Sequence, residues 1–208
     1  MKKILLAVTA VVAIGVAMPV ALGASPLAPS IANGNKLTCF DGTTDGAYGL
    51  CTVNKAGIAT LDNESNDETG TMNPFDQYSG VYVKNSNLVG KTIGTVNQLG
   101  FSYRGDPATA GSPRISLGID TDGDGDRDVF AFISAFYCND GVGNVDVIKD
   151  PTCTIYAGDA VYENWAAMVA AHPEYRVGYT PFVIADDQGE WTVFNVKLGK
   201  GPAGGPKN

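Results

Sequence analysis

The chain has 208 residues, with 14 Lys and Arg against 22 Asp and Glu and a single His, for a formal charge of −8. That surplus of acid disfavours nucleic acid and anionic membrane surfaces as partners and attracts cations. Twenty-six glycines and scarce helix-forming runs point to an all-β, turn-rich chain, and one histidine excludes His-rich zinc sites.

Lys2 and Lys3, the apolar run Ile4–Val20 and the small residues around Ala21-Leu22-Gly23-Ala24 have the three-part layout of a secretory signal peptide over residues 1–24. The run is also just long enough to span a bilayer as an anchor, but Pro19 and the small residues after it favour cleavage. No second long apolar run follows, so no membrane insertion is expected after cleavage. The product is expected to be secreted, extracellular or held at the cell surface. Residues 25–36 read as a flexible entry, 37–198 as one β-sandwich domain of a length that buries a substantial core, and the Gly/Pro/Lys-rich 199–208 as a disordered tail.

Short alternating runs punctuated by Gly, Asn, Asp and Pro fill the domain. Gly49–Val53 and Gly57–Leu61 read as strands joined by a turn at Asn54-Lys55-Ala56. Asp62–Asn73 is polar and aperiodic, a long surface loop; its Asn63-Glu64-Ser65 is a formal glycosylation triplet. Ser79–Val83 and Val96–Tyr103 are strands, and Arg114–Ile119 alternates with Ile115, Leu117 and Ile119 on one face. Val129–Tyr137 is apolar on both faces, with Phe130, Phe132 and Phe136 on one side, and is expected to be buried on both. Val145–Ile148, Cys153–Tyr156, Tyr175–Val177, Phe182–Ala185 and Trp191–Leu198 complete the strands. Asp186-Asp187-Gln188-Gly189 reads as a hairpin turn. One helix, Tyr162–Ala171, carries Trp165 and Met168 on an apolar face and ends at His172-Pro173. Together these predict a two-sheet β-sandwich of jelly-roll type with one short helix over an open end.

Cys39, Cys51, Cys138 and Cys153 suit an oxidising compartment. Four cysteines allow three connectivities; sequential pairing closes two short loops, each stabilising by roughly 3 kcal/mol. No Cys-x-x-Cys pair is present, which argues against zinc.

The sharpest chemical signal is Asp120-Thr121-Asp122-Gly123-Asp124-Gly125-Asp126-Arg127-Asp128. Asp120, Asp122 and Asp124, at positions 1, 3 and 5 of a tight loop, aim carboxylates at one centre. Gly125 supplies a positive φ, Asp126 a backbone carbonyl, and Asp128 a direct or water-bridged ligand. Without a cation, each like-charge contact near 4 Å costs on the order of 1–4 kcal/mol. Ca²⁺ is the expected ion, held weakly because position 12 is Ala131 rather than a bidentate Glu. The loop resembles the strand-loop-strand calcium loops of integrin-type propeller blades and thrombospondin type 3 repeats.

Catalytic groups are few. His172 sits at a helix end, no cysteine is free if both bridges form, and no spacing singles out a carboxylate pair. Tyr103, Tyr137, Tyr179 and Trp191 are candidate platforms for stacking on sugar rings. Ser112–Ser116, the loop from Asp120, Cys138 with Cys153-Thr154, Asn164-Trp165-Ala166, Pro173–Arg176, Phe182–Asp186 and Val193–Val196 together resemble a poorly characterised group of secreted bacterial β-sandwich proteins. The resemblance implies fold and secretion, and no activity. The expected function is a calcium-binding extracellular module, non-enzymatic, engaging a glycan or a surface protein. The alternatives are a glycan-cleaving enzyme with a carboxylate pair about 5–9.5 Å apart and a structural subunit of a surface layer or fibre.

Overall fold

A computed structural model describes residues 37–43, 50–63, 77–83, 86–138, 143–199 and 202–203. The expected signal peptide (1–24) and entry (25–36) lie outside the described residues, as do most of the acidic stretch after Asp62 and residues 204–208 of the expected tail. The strands are β1 (Leu37–Thr43), β2 (Leu50–Val53), β3 (Ala59–Asp62), β4 (Gln77–Val83), β5 (Leu99–Gly105), β6 (Arg114–Asp120), β7 (Val129–Ser134), β8 (Asn144–Asp146), β9 (Ile155–Ala157), β10 (Ala160–Tyr162), β11 (Arg176–Ala185), β12 (Glu190–Leu198) and β13 (Pro202–Ala203).

They form two antiparallel sheets, as the short alternating runs predict. One has the order β1-β4-β11-β6-β7-β9-β10, the other β2-β3-β12-β5-β8 with β13 added to β12. Alternation directs one face of each sheet inward. Ile115, Leu117 and Ile119 of β6 and Ala131 and Ile133 of β7 meet Leu61, Leu99, Phe101, Trp191 and Val193 of the second sheet in one core. Each large side chain so buried contributes roughly 1.5–3 kcal/mol.

The cysteines pair sequentially. Cys39–Cys51 bridges β1 of one sheet to β2 of the other, and Cys138–Cys153 bridges the chain after β7 to the chain before β9. Asn63 adds a buried polar tie: its Nδ2 donates to Ala185 O at 2.7 Å, and its Oδ1 accepts from Ser79 Oγ at 2.7 Å. Being 1 % exposed, Asn63 offers no acceptor to a glycosylating enzyme in the folded state.

The helix α1 (Trp165–Ala171) is shorter than the apolar pattern suggests. Asn164 caps it by accepting from Ala167 N at 2.9 Å, and Tyr162 belongs to β10 instead. Trp165 and Met168 are core, as the helical spacing implies.

Two expectations are corrected. Asp186–Gly189 is not a hairpin turn: it carries the chain from β11 in one sheet to β12 in the other. Ser112 anchors this crossover, its Oγ accepting from Asp186 N at 2.7 Å and Asp187 N at 2.8 Å. The Val129–Tyr137 run is not buried on both faces. Strand β7 ends at Ser134, a 3-10 turn follows over Ala135–Tyr137, and the phenylalanine side faces outward.

Candidate functional site: an acidic hairpin loop beside an aromatic sheet face

The acidic loop joins β6 to β7, which pair from Ile119–Val129 down to Arg114–Ser134. Asp120 is the last residue of β6 and is 2 % exposed. Its carboxylate accepts from Gly123 N at 2.6 Å and Gly125 N at 3.1 Å, so the chain wraps round it. Asp122 accepts from Asp124 N at 3.1 Å and Asp124 from Asp126 N at 2.8 Å, each carboxylate turning the chain for the next. Gly123 and Gly125 adopt φ of 85° and 96°, the left-handed region that a Cβ disfavours.

This geometry gathers the carboxylates of Asp120, Asp122 and Asp124 within 4.8 Å of one another. Hard oxygens converging at that spacing fit calcium in donor type. Asp126 and Asp128 do not join them. Asp126 is exposed, and its carbonyl lies over Gly178, where a Cβ would approach to 2.7 Å. Asp128 turns to close the hairpin mouth, its Oδ2 accepting from Thr121 N and Thr121 Oγ1, both at 2.7 Å. The Thr121 hydroxyl foremost, and then its backbone N–H, hold the Asp128 carboxyl below the usual carboxylate range. Because the folded value is the lower one, these bonds stabilise the hairpin above the ordinary carboxylate range and are lost only as pH falls through the depressed value. In calcium-free buffer, Thr121→Val is expected to raise the Asp128 titration followed by NMR; an unmoved titration would refute the assignment.

Beside the loop lies the outward face of the seven-stranded sheet. Cross-strand register places Tyr82, Phe182, Ser116, Phe132, Tyr156 and Val161 in one row. A row across these six strands measures about 24 Å at roughly 4.8 Å between neighbouring strands. The rings touch in a chain: Phe40 packs edge-on to Phe182 with centroids 5.3 Å apart, Phe182 to Phe130 at 5.8 Å, and Phe130 stacks on Phe132 at 6.0 Å. At the far side Tyr137 packs on Tyr156 at 5.4 Å; burial and its hydrogen bond to Tyr137 push the Tyr156 phenol up. Two guanidiniums lie on the rings, Arg127 4.2 Å above Phe130 and Arg114 5.0 Å above Phe132.

Phe132 (38 %), Tyr179 (52 %) and Val161 (60 %) are open to solvent. The outward face of the other sheet is different in kind: Thr52, Thr60, Thr192 and Arg104 follow one another across its strands. The contrast separates a mainly polar face from an aromatic one.

The four platform candidates divide accordingly. Tyr137 and Tyr179 stand on the aromatic face. Tyr103 is half-buried against the core beside Phe101. Trp191 is wholly buried and presents no ring to solvent; its indole N–H donates to Asp106 O at 3.0 Å. Sequence reading placed Phe130 and Phe132 in the interior, and the single available signal was the Arg and Gly interspersed among the neighbouring strands.

The remaining polar clusters are structural. Asp186 is ion-paired with Arg114, and Asp187 accepts from Thr109 Oγ1, both at the crossover into β12. His172 stacks on Tyr175 at 4.1 Å beyond the helix end and caps α1 through its own backbone N–H. A cleft lined by Val147, Asp150, Asn164 and Trp165 encloses about 160 Å³, below the roughly 300 Å³ at which small-molecule pockets begin.

Fold and site together define a disulfide-bridged, two-sheet β-sandwich with an acidic hairpin loop and an aromatic sheet face. Among the described residues no helix is long and apolar enough to cross a membrane. Comparison with family models, with curated proteins and with solved structures finds no match.

Proposed function

We propose that this chain is an extracellular glycan-binding module whose ligand lies along the aromatic face of the seven-stranded sheet, while the acidic loop holds calcium as a structural ion. The observation that carries the reading is the row of rings from Tyr82 through Phe182 and Phe132 to Tyr156 on an otherwise solvent-facing sheet. Pyranose rings have apolar C–H faces that stack on aromatic planes, and tyrosine hydroxyls and guanidinium N–H groups supply hydrogen bonds at the ring edges. An open face of this length suits a polymer lying across it better than a small enclosed molecule. Asp120, Asp122 and Asp124 would hold the ion, which supplies charge neutralisation at the hairpin tip. The signal-peptide layout and the paired cysteines support an extracellular setting.

Screening the purified chain on a glycan array and by isothermal titration tests this. Phe132→Ala and Tyr179→Ala are each expected to lower affinity for the bound glycan about tenfold, with little change in melting temperature because both rings are open to water. Absence of binding to any glycan, or undiminished affinity in the double variant, would overturn the reading.

A further inference from the structure

The aromatic face carries a charge pattern as well as a shape. We infer that its ligand is an acidic polysaccharide, pyranose rings bearing carboxylates, with Arg127 as the ion-pairing residue; this rests on the glycan-binding reading above. Three of the chain's four arginines, Arg114, Arg127 and Arg176, belong to this face. The carboxylate at the outward positions of β6, Asp120, is buried and turned into the hairpin loop.

The three arginines are not equivalent. Arg114 is committed to Asp186 and to Gly111 O, and Arg176 donates to Gly90 O at 3.2 Å. Arg127 makes no ion pair among the described residues, and its guanidinium carbon lies 4.2 Å from the Phe130 ring centre and 6.0 Å from that of Tyr179. A guanidinium seated on an aromatic ring and in no ion pair has N–H groups to offer a carboxylate, which it can grip with two parallel bonds. Its seat is built by the fold. A Cβ at Gly118 would come 2.5 Å from Tyr179 Cβ and 3.0 Å from Arg127 Cγ, so the arginine stem and the tyrosine meet directly over the bare backbone of β6.

The exposed Asp122, Asp124 and Asp126 on the same loop repel an anion at short range, and salt screens them only beyond about 8 Å. A divalent cation held by Asp120, Asp122 and Asp124 lowers that repulsion. Calcium is therefore expected to raise affinity for an acidic chain and to leave a neutral one unchanged.

Titrating the full chain with oligogalacturonate and with a neutral gluco-oligosaccharide of equal length, with and without calcium, tests the inference. The acidic oligomer is expected to bind at least about tenfold tighter than the neutral one. Arg127→Gln should remove that preference and flatten its salt dependence, and Arg127→Lys should restore part of it. Melting curves of both variants verify folding. Equal affinity for the two oligomers, or an unchanged preference in Arg127→Gln, overturns the inference and leaves the glycan-binding reading standing. Binding of neither oligomer, with a blank glycan array, overturns both.

Discussion

Replacing Trp191 by alanine is expected to remove about 3–5 kcal/mol of stability and to lower the melting temperature by about 6–20 °C, at roughly 2–4 °C per kcal/mol for a domain of this size. Trp191 is the largest of the fully buried side chains and sits on β12 between the sheets. Its indole edge packs against the crossover from β11, where a Cβ at Gly189 would come within 2.7 Å of Cη2. Its N–H is spent on Asp106 O. Truncation therefore opens a cavity, strips the turn into β12 of its packing and leaves a carbonyl unpartnered. Trp191→Phe keeps most of the volume and loses the hydrogen bond, so about 1–2 kcal/mol is expected, with glycan affinity unchanged. Calorimetry decides between this and a ligand-stacking role. A Trp191→Ala protein that melts normally and binds poorly would mean the ring serves the ligand and not the core.

The second large effect concerns the loop. With a dissociation constant of about 0.1 mM, within the range of extracellular calcium modules, 10 mM calcium stabilises the folded chain by about 2.7 kcal/mol, because the ion binds the native hairpin and not the unfolded chain. That corresponds to a rise in melting temperature of roughly 5–10 °C, reversed by chelator and not reproduced by magnesium, which gives up its water reluctantly. Asp120→Asn loses the charge and keeps one acceptor oxygen for two N–H groups that are held by separate carboxylate oxygens, so it is expected to abolish the calcium response and to cost up to about 1 kcal/mol without calcium. Asp120→Ala should abolish the response and also cost about 1–2 kcal/mol without calcium, because both loop N–H groups lose their acceptor. Asp128→Asn, by contrast, is expected to retain most of the calcium response, since that carboxylate serves Thr121 and lies outside the converging group. A melting temperature indifferent to calcium in the unaltered chain would remove the ion from the account and leave the aromatic face untouched.

These two sites show where sequence reasoning reaches and where it stops. The loop was legible because its geometry is local: carboxylates at alternate positions separated by glycines bend the chain round Asp120 whatever surrounds it. Even there, the spacing offered Asp128 as a direct or water-bridged ligand and said nothing of Thr121, whose N–H and hydroxyl both donate to one oxygen of that carboxylate. The aromatic face was not legible. Its members come from β1, β4, β11, β6, β7 and β9, brought side by side by pairings such as Phe182–Tyr82 and Phe132–Tyr156 that no local pattern encodes.

By itself the sequence determined the period of the strands, hence an all-β sandwich, the sequential pairing of the cysteines as the compact choice, and an acidic hairpin whose form follows from nine consecutive residues. The tertiary structure alone decided which side of each strand would be covered. A period of two separates the faces of a strand but does not say which of them meets the other sheet. For β6 the aliphatic side was the evident answer; β7 is apolar on both sides, and only its register with β6, Leu117 opposite Ala131 and Ser116 opposite Phe132, turned the phenylalanines to solvent.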